Sequence, residues 1–206
     1  MGYSNYKKIK QVRDTLKVRI VAANLFEGLP ILPIEPSEWL RVSLKRAYTT
    51  PPNNEKAKSE RLVSPVLLEA QAAFETTIGF FSGEEININA EENLAGPCDF
   101  FFALATPSIV LEAPIISIVE AKDEDLEWGL AQCAAQVYAA NLYNKAENKD
   151  LPILYGCATT GVEWQFFKLE NNTFHIDRIP MTNLPEVLGT WYWILDFYVK
   201  NYSPKA

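Results

Sequence analysis

Apolar residues recur along the chain at two periods, and the switches between them mark out its elements. Ile9, Val12, Leu16 and Ile20 fall three or four residues apart in a basic stretch, which predicts an amphipathic helix over 5–20. Gly28 to Pro36 holds three prolines and reads as an extended connector. Ser37 ahead of EWLRVSLKRAY offers an N-cap for a short helix to about Tyr48, and TTPPNN at 49–54 ends it. Asn53 or Asn54 then caps a longer helix whose apolar face holds Leu62, Val63, Val66, Leu67 and Ala70. Pro65 inside that helix predicts a kink or a restart.

From residue 81 the period shortens to two. FSGEEININ (81–89) has a turn at Ser82-Gly83 and then alternates through Ile86 and Ile88, a strand pattern. CDFFFALA (98–105) and IVLEAPIISIVEAK (109–122) read as a hairpin joined by Thr106-Pro107-Ser108. The second run is apolar on both faces until Glu120, which predicts a central strand. Residues 124–144 form the next helix, and LPILYGCATT (151–160) a buried strand parallel to its predecessor after that crossover. VEWQFFKLE and TFHIDRI flank the hairpin signal Asn171-Asn172, and an aromatic helix over 185–201 closes the chain. This order predicts an α/β fold, a mixed central β-sheet flanked by α-helices. Residues 1–52 are an N-terminal helical extension packed on a core domain of 53–206.

Composition narrows the classes of function. At 206 residues and 48% hydrophobic, the chain suits one domain, or one domain with an N-terminal extension. The net charge of −7 disfavours nucleic acid unless the basic residues gather on one face, and they do cluster in 7–19 and 41–61. Cys98, Cys133 and Cys157 are widely spaced and His175 is the single histidine, which argues against zinc. Such cysteines read as buried thiols in a reducing cytoplasm. The N-terminus is broken by charges and no apolar run approaches the ~20 residues of a membrane span, so a cytoplasmic protein is expected. The C-terminal aromatic cluster is expected in the core, with a homodimer interface as the alternative.

One short stretch carries candidate chemistry. Glu120 and Lys122 end the central strand, and side chains two apart on a strand share a face. Antiparallel pairing would bring Asp99, which opens the preceding strand, beside Glu120. Two carboxylates and an amine at one sheet end are either a solvated ion pair, worth under ~1 kcal/mol, or a site. Phosphodiester hydrolysis needs such a set: carboxylates to hold Mg²⁺ and a lysine to orient or deprotonate water. In the following helix Leu126, Leu130, Ala134 and Val137 form one apolar face. Gly129, Gln132, Cys133, Gln136 and Ala140 form a second stripe, whose amides suggest a polar cleft beside the sheet. Asp123, Glu124, Asp125 and Glu127 read as helix N-terminal acids favoured by the dipole.

Asp99 followed after twenty residues by Glu120-x-Lys122 and a Gln-bearing helix resembles the PD-(D/E)XK nuclease superfamily, over 55 to about 180. GPCDFFFA, IVEAK, GLAQCAAQ and TTGVEWQFFKL are similar to a bacterial group within it, and the last segment to nuclease domains of type I restriction subunits. The aspartate here follows Cys98, with Pro97 one place early. The resemblance implies a restriction-endonuclease-like fold and a Mg²⁺- or Mn²⁺-dependent endonuclease acting on DNA. Asp99, Glu120 and the carbonyl of Ala121 would be metal ligands and Lys122 the catalytic lysine. A helix glutamate would join them: Glu60 in SERLV first, then Glu55, then Glu69. Gln132 would be the helix glutamine lining the site. The alternative is a catalytically idle nuclease-like domain acting as a DNA- or protein-binding accessory module, favoured by the acidity and by the lack of an appended DNA-binding domain.

Overall fold

The structure, a computed structural model, describes residues 2–89, 91–104 and 111–203. Six α-helices are described: α1 (Ile9–Leu16), α2 (Glu38–Ala47), α3 (Glu55–Lys58), α4 (Ser64–Gln71), α5 (Leu126–Ala146) and α6 (Leu184–Tyr202). The strands are β1 (Arg19–Ala23), β2 (Gly79–Ser82), β3 (Phe100–Ala103), β4 (Ile115–Ala121), β5 (Ile153–Thr159), β6 (Trp164–Glu170) and β7 (Thr173–Asp177). They form one seven-stranded sheet in the order β1-β7-β6-β5-β4-β3-β2. β4 and β5 pair in parallel, as do β1 and β7, and the other neighbours are antiparallel. The protein is therefore a mixed α/β fold with helices flanking the sheet.

Register decides which helix covers which face. Glu120 lies opposite Ala158 across the β4–β5 pair, and α5 reaches both: Gln136 bonds to Glu120, and a Cβ on Gly129 would touch Ala158. The other face takes α6, where Trp191 packs on Phe102 and Phe166, and Trp193 and Tyr198 on Tyr155. With a helix on each face every residue of β4 is buried, as its unbroken apolar run predicts. Trp191 and Tyr198 are fully buried, so the aromatic cluster belongs to the core.

Several local expectations shift. The N-terminal helix stops at Leu16, Lys17 turns left-handed at φ 55°, and Arg19–Ala23 joins the sheet edge beside β7. Ile20 continues the helical spacing by coincidence; the β-branched pair Ile20-Val21 serves a strand instead. Residues 1–52 thus contribute a strand as well as helices. Residues 84–89 form no strand: β2 ends at the Ser82-Gly83 turn, and the segment beyond it makes only isolated bridges. Side chains tie that segment down, with Tyr3 donating to the carbonyl of Ile86 and Tyr6 to that of Glu92. β4 begins at Ile115, and Thr106-Pro107-Ser108 lies outside the described residues.

Two turns follow their residues closely. Asn171 and Asn172 both take positive φ, 49° and 58°, which suits the tight turn between β6 and β7. Asn54 caps α3 by accepting from the Ala57 N–H. Pro65 restarts the helix: Ser59–Val63 forms a π turn in which the Ser64 N–H reaches back to the Ser59 carbonyl, and α4 follows. A proline ring crowds the carbonyl four residues back, and a wider turn relieves it.

Asn144 secures the start of the central strand. It is fully buried, and its amide accepts from the Ile115 N–H at 2.8 Å and donates to the Ile115 carbonyl at 2.7 Å. Asn144→Ala leaves both main-chain groups without partners, so a loss of roughly 2–5 kcal/mol is expected. Urea denaturation at neutral pH measures it. Among the described residues, no helix is long and apolar enough to cross a membrane.

Candidate functional site

The β3–β4 register pairs Phe100 with Val119, so the preceding Asp99 stands opposite Glu120 at the sheet end. Asp99 Oδ2 accepts the Ala121 N–H at 2.8 Å, and the β3–β4 register sets its carboxyl across from Glu120. Glu120 is only 1% exposed. Its Oε1 is 2.8 Å from Lys122 Nζ, and its Oε2 accepts from Gln136 Nε2 at 2.8 Å. Lys122 is itself 6% exposed, and its Nζ also lies 3.3 Å from Glu55 Oε1 and 5.3 Å from the centre of the Trp128 ring.

Burial dominates the electrostatics. It pushes Glu120 up to about 8; the Asp99 charge adds to the rise, while Lys122 and Gln136 oppose it. Burial also raises Asp99, against the Ala121 hydrogen bond and the Lys122 charge. For Lys122 burial acts downward, but Glu120, Glu55 and Asp99 outweigh it and leave the amine raised and charged. Asp99 and Glu120 titrate as a pair, and the pair resists being doubly ionised.

Donor chemistry fits a hard cation. Asp99, Glu120 and the Ala121 carbonyl offer oxygen alone, the set suited to Mg²⁺ or Mn²⁺. Two carboxylates crowd one another here, which an added positive charge would relieve. The Oε1 atoms of Gln132 and Gln136 are buried without a partner in the same stripe of α5. Among the described residues, no three His, Cys, Asp or Glu side chains gather closely enough to hold an ion by themselves. A cation here would rest on two carboxylates plus main-chain and water oxygens, which Mg²⁺ commonly does.

The sequence-predicted residues divide. Asp99, Glu120, Ala121 and Lys122 come together. Glu60 does not touch them: it pairs with Lys56 at 2.8 Å and is 59% exposed. It lines, with Glu55, Ser59, Ser82 and Asp99, an open cleft of about 380 Å³ between the helix and the β2–β3 end. The glutamate that reaches Lys122 is Glu55, in the first turn after the Asn54 cap. Glu69 lies elsewhere, accepting from the Ser37 N–H and hydroxyl at the head of α2. Gln132 is buried, but the amide that grips Glu120 is Gln136, one turn further on.

Two participants carry weak sequence signals. Gln136 shares a helical face with Gln132, so only the strand's depth chooses between them. Trp128 follows the acidic run and reads as an ordinary helix aromatic, yet its ring stands by Lys122. Cys98, Cys133 and Cys157 are free and buried. The chain matches no protein-family model and no curated protein.

Proposed function

We propose that the chain is a divalent-metal-dependent nuclease of the PD-(D/E)XK type that hydrolyses DNA phosphodiester bonds. The observation that carries this reading is the placing of Asp99 and Glu120 across neighbouring strands with Lys122 Nζ 2.8 Å from Glu120. Asp99, Glu120 and the Ala121 carbonyl would hold Mg²⁺ or Mn²⁺, which when bound offsets charge on the phosphate and makes water more acidic. The chain's own residues do the positioning. The Ala121 N–H fixes the Asp99 carboxylate, and Gln136 fixes Glu120. Lys122 orients the attacking water and, held charged by its neighbours, offsets the negative charge that develops on the phosphoryl oxygens. The cleft before Asp99 admits the strand. Lys7, from the basic N-terminal stretch, lies 5.4 Å over the same Trp128 ring that faces Lys122, so part of that stretch borders the site despite the acidic total.

The test is to incubate labelled single- and double-stranded DNA with the purified protein in Mg²⁺, in Mn²⁺ and in chelator. Cutting is expected with metal only, and Asp99→Asn is expected to abolish it. A second reading, a catalytically idle binding module, is favoured by one feature: both Glu120 oxygens already have donors inside the fold. DNA binding without cutting in either metal would favour that reading.

A further inference from the structure

Lys122 is held by more than its ion pairs. Its ammonium faces Glu120 at 2.8 Å, Glu55 at 3.3 Å and the Trp128 ring at 5.3 Å. Its stem lies on Gly129: a Cβ there would come within 2.7 Å of Lys122 Cγ and 3.5 Å of the Ala158 Cβ. Glycine early in a helix costs about 1 kcal/mol relative to alanine. The close approach of the lysine stem accounts for it. The atom that would clash is near the root of the side chain, where it has little freedom to swing away.

In the nuclease reading Glu120 would have to serve a metal and Lys122 at once, so the lysine needs a holder that does not compete for the ion. Glu55 is half-exposed, and such a pair is weakened by solvent. An aromatic face attracts an ammonium strongly and is no ligand for a hard oxygen-seeking cation. We propose that Trp128 and Gly129 are positioning residues for Lys122, the ring holding its ammonium and the bare Cα seating its stem. This rests on the nuclease reading for its purpose, though not for the contact itself.

The test uses the full chain carrying Gly129→Ala, Trp128→Leu or Trp128→Phe, with two readouts. The first is acylation of lysines by a small amine-reactive reagent, mapped by mass spectrometry. Wild-type Lys122 is shielded, and it is expected to label several-fold faster in Gly129→Ala and Trp128→Leu while the exposed lysines other than Lys7, which shares the Trp128 ring, stay unchanged. The second is cutting kinetics. Displacing the amine is expected to lower kcat on the order of a hundredfold with KM unchanged. Trp128→Phe, which keeps an aromatic face, is expected to stay within about threefold of wild type. Unchanged labelling of Lys122 in both disruptive variants would overturn the inference, as would wild-type turnover in both. If the wild type cuts no DNA the nuclease reading falls, and the labelling alone decides whether these residues hold Lys122.

Discussion

Lys122→Ala is expected to reduce metal-dependent DNA cutting by on the order of a thousandfold, and to destabilise the protein as well. The first effect follows from the role proposed for the amine, which acts on the water and on developing charge. The second follows from its surroundings. Sequence alone suggests that the substitution would spare the fold, since an amine beside the metal would act only on the water or the transition state. The structure instead places Lys122 against a carboxylate with 1% exposure, with the half-buried Asp99 on the neighbouring strand. Removing one member of a buried pair leaves the other uncompensated, typically at a cost of roughly 3–5 kcal/mol. That full cost applies only where Glu120 is ionised; raised to about 8, it already holds a proton at pH 5, so the loss should be larger at pH 8 than at pH 5. Lys122→Met, which keeps the stem, separates lost packing from lost charge. Wild-type cutting by Lys122→Ala would contradict the assigned role, whatever its stability.

The second large effect is the pH dependence of stability without metal. Glu120 is pushed from an ordinary 4.5 to about 8 in the folded protein, mainly by burial. Between those values the folded chain holds a proton that the unfolded chain releases. The contribution of this group to stability is therefore fully present below about pH 4.5 and falls as pH rises towards 8, by up to about 1.4 kcal/mol per pH unit. Asp99, also raised, adds to the same trend. Glu120→Gln, which cannot ionise, is expected to flatten the slope. Added Mg²⁺ or Mn²⁺ is expected to restore wild-type stability at pH 8, where the ionised pair would bind it best. Urea midpoints from pH 5 to 8 read all three, and a wild-type midpoint that rises with pH in chelator would contradict the buried-pair account.

How much of this was legible in the sequence depends on which interaction set each element. The central strand and its crossover helix were clear because the run up to Glu120 is apolar on both faces, although the strand itself begins only at Ile115. Asp99 beside Glu120 followed from hairpin pairing alone, and the register has them opposed. The edge strand at Arg19–Ala23 was hidden because its partner, Thr173–Asp177, lies some 150 residues away and local spacing favoured a helix. The choice of glutamate was hidden because three acids, Glu55, Glu60 and Glu69, fall within one helical segment. The resemblance of SERLV chose Glu60, whereas Glu55, in the turn before the π segment Ser59–Val63, is the one that reaches Lys122. Gln136 against Gln132 is a question of depth along one stripe, which only the packed strand end resolves.

The measurement closest to the central claim is a crystal structure grown with Mn²⁺, using its anomalous signal to locate the ion. A single strong peak is expected between Asp99 and Glu120, with Lys122 still over the Trp128 ring, and no peak in Asp99→Asn. The contradicting result is no ion at that place at millimolar Mn²⁺, with Lys122 and Gln136 still closing both oxygens of Glu120.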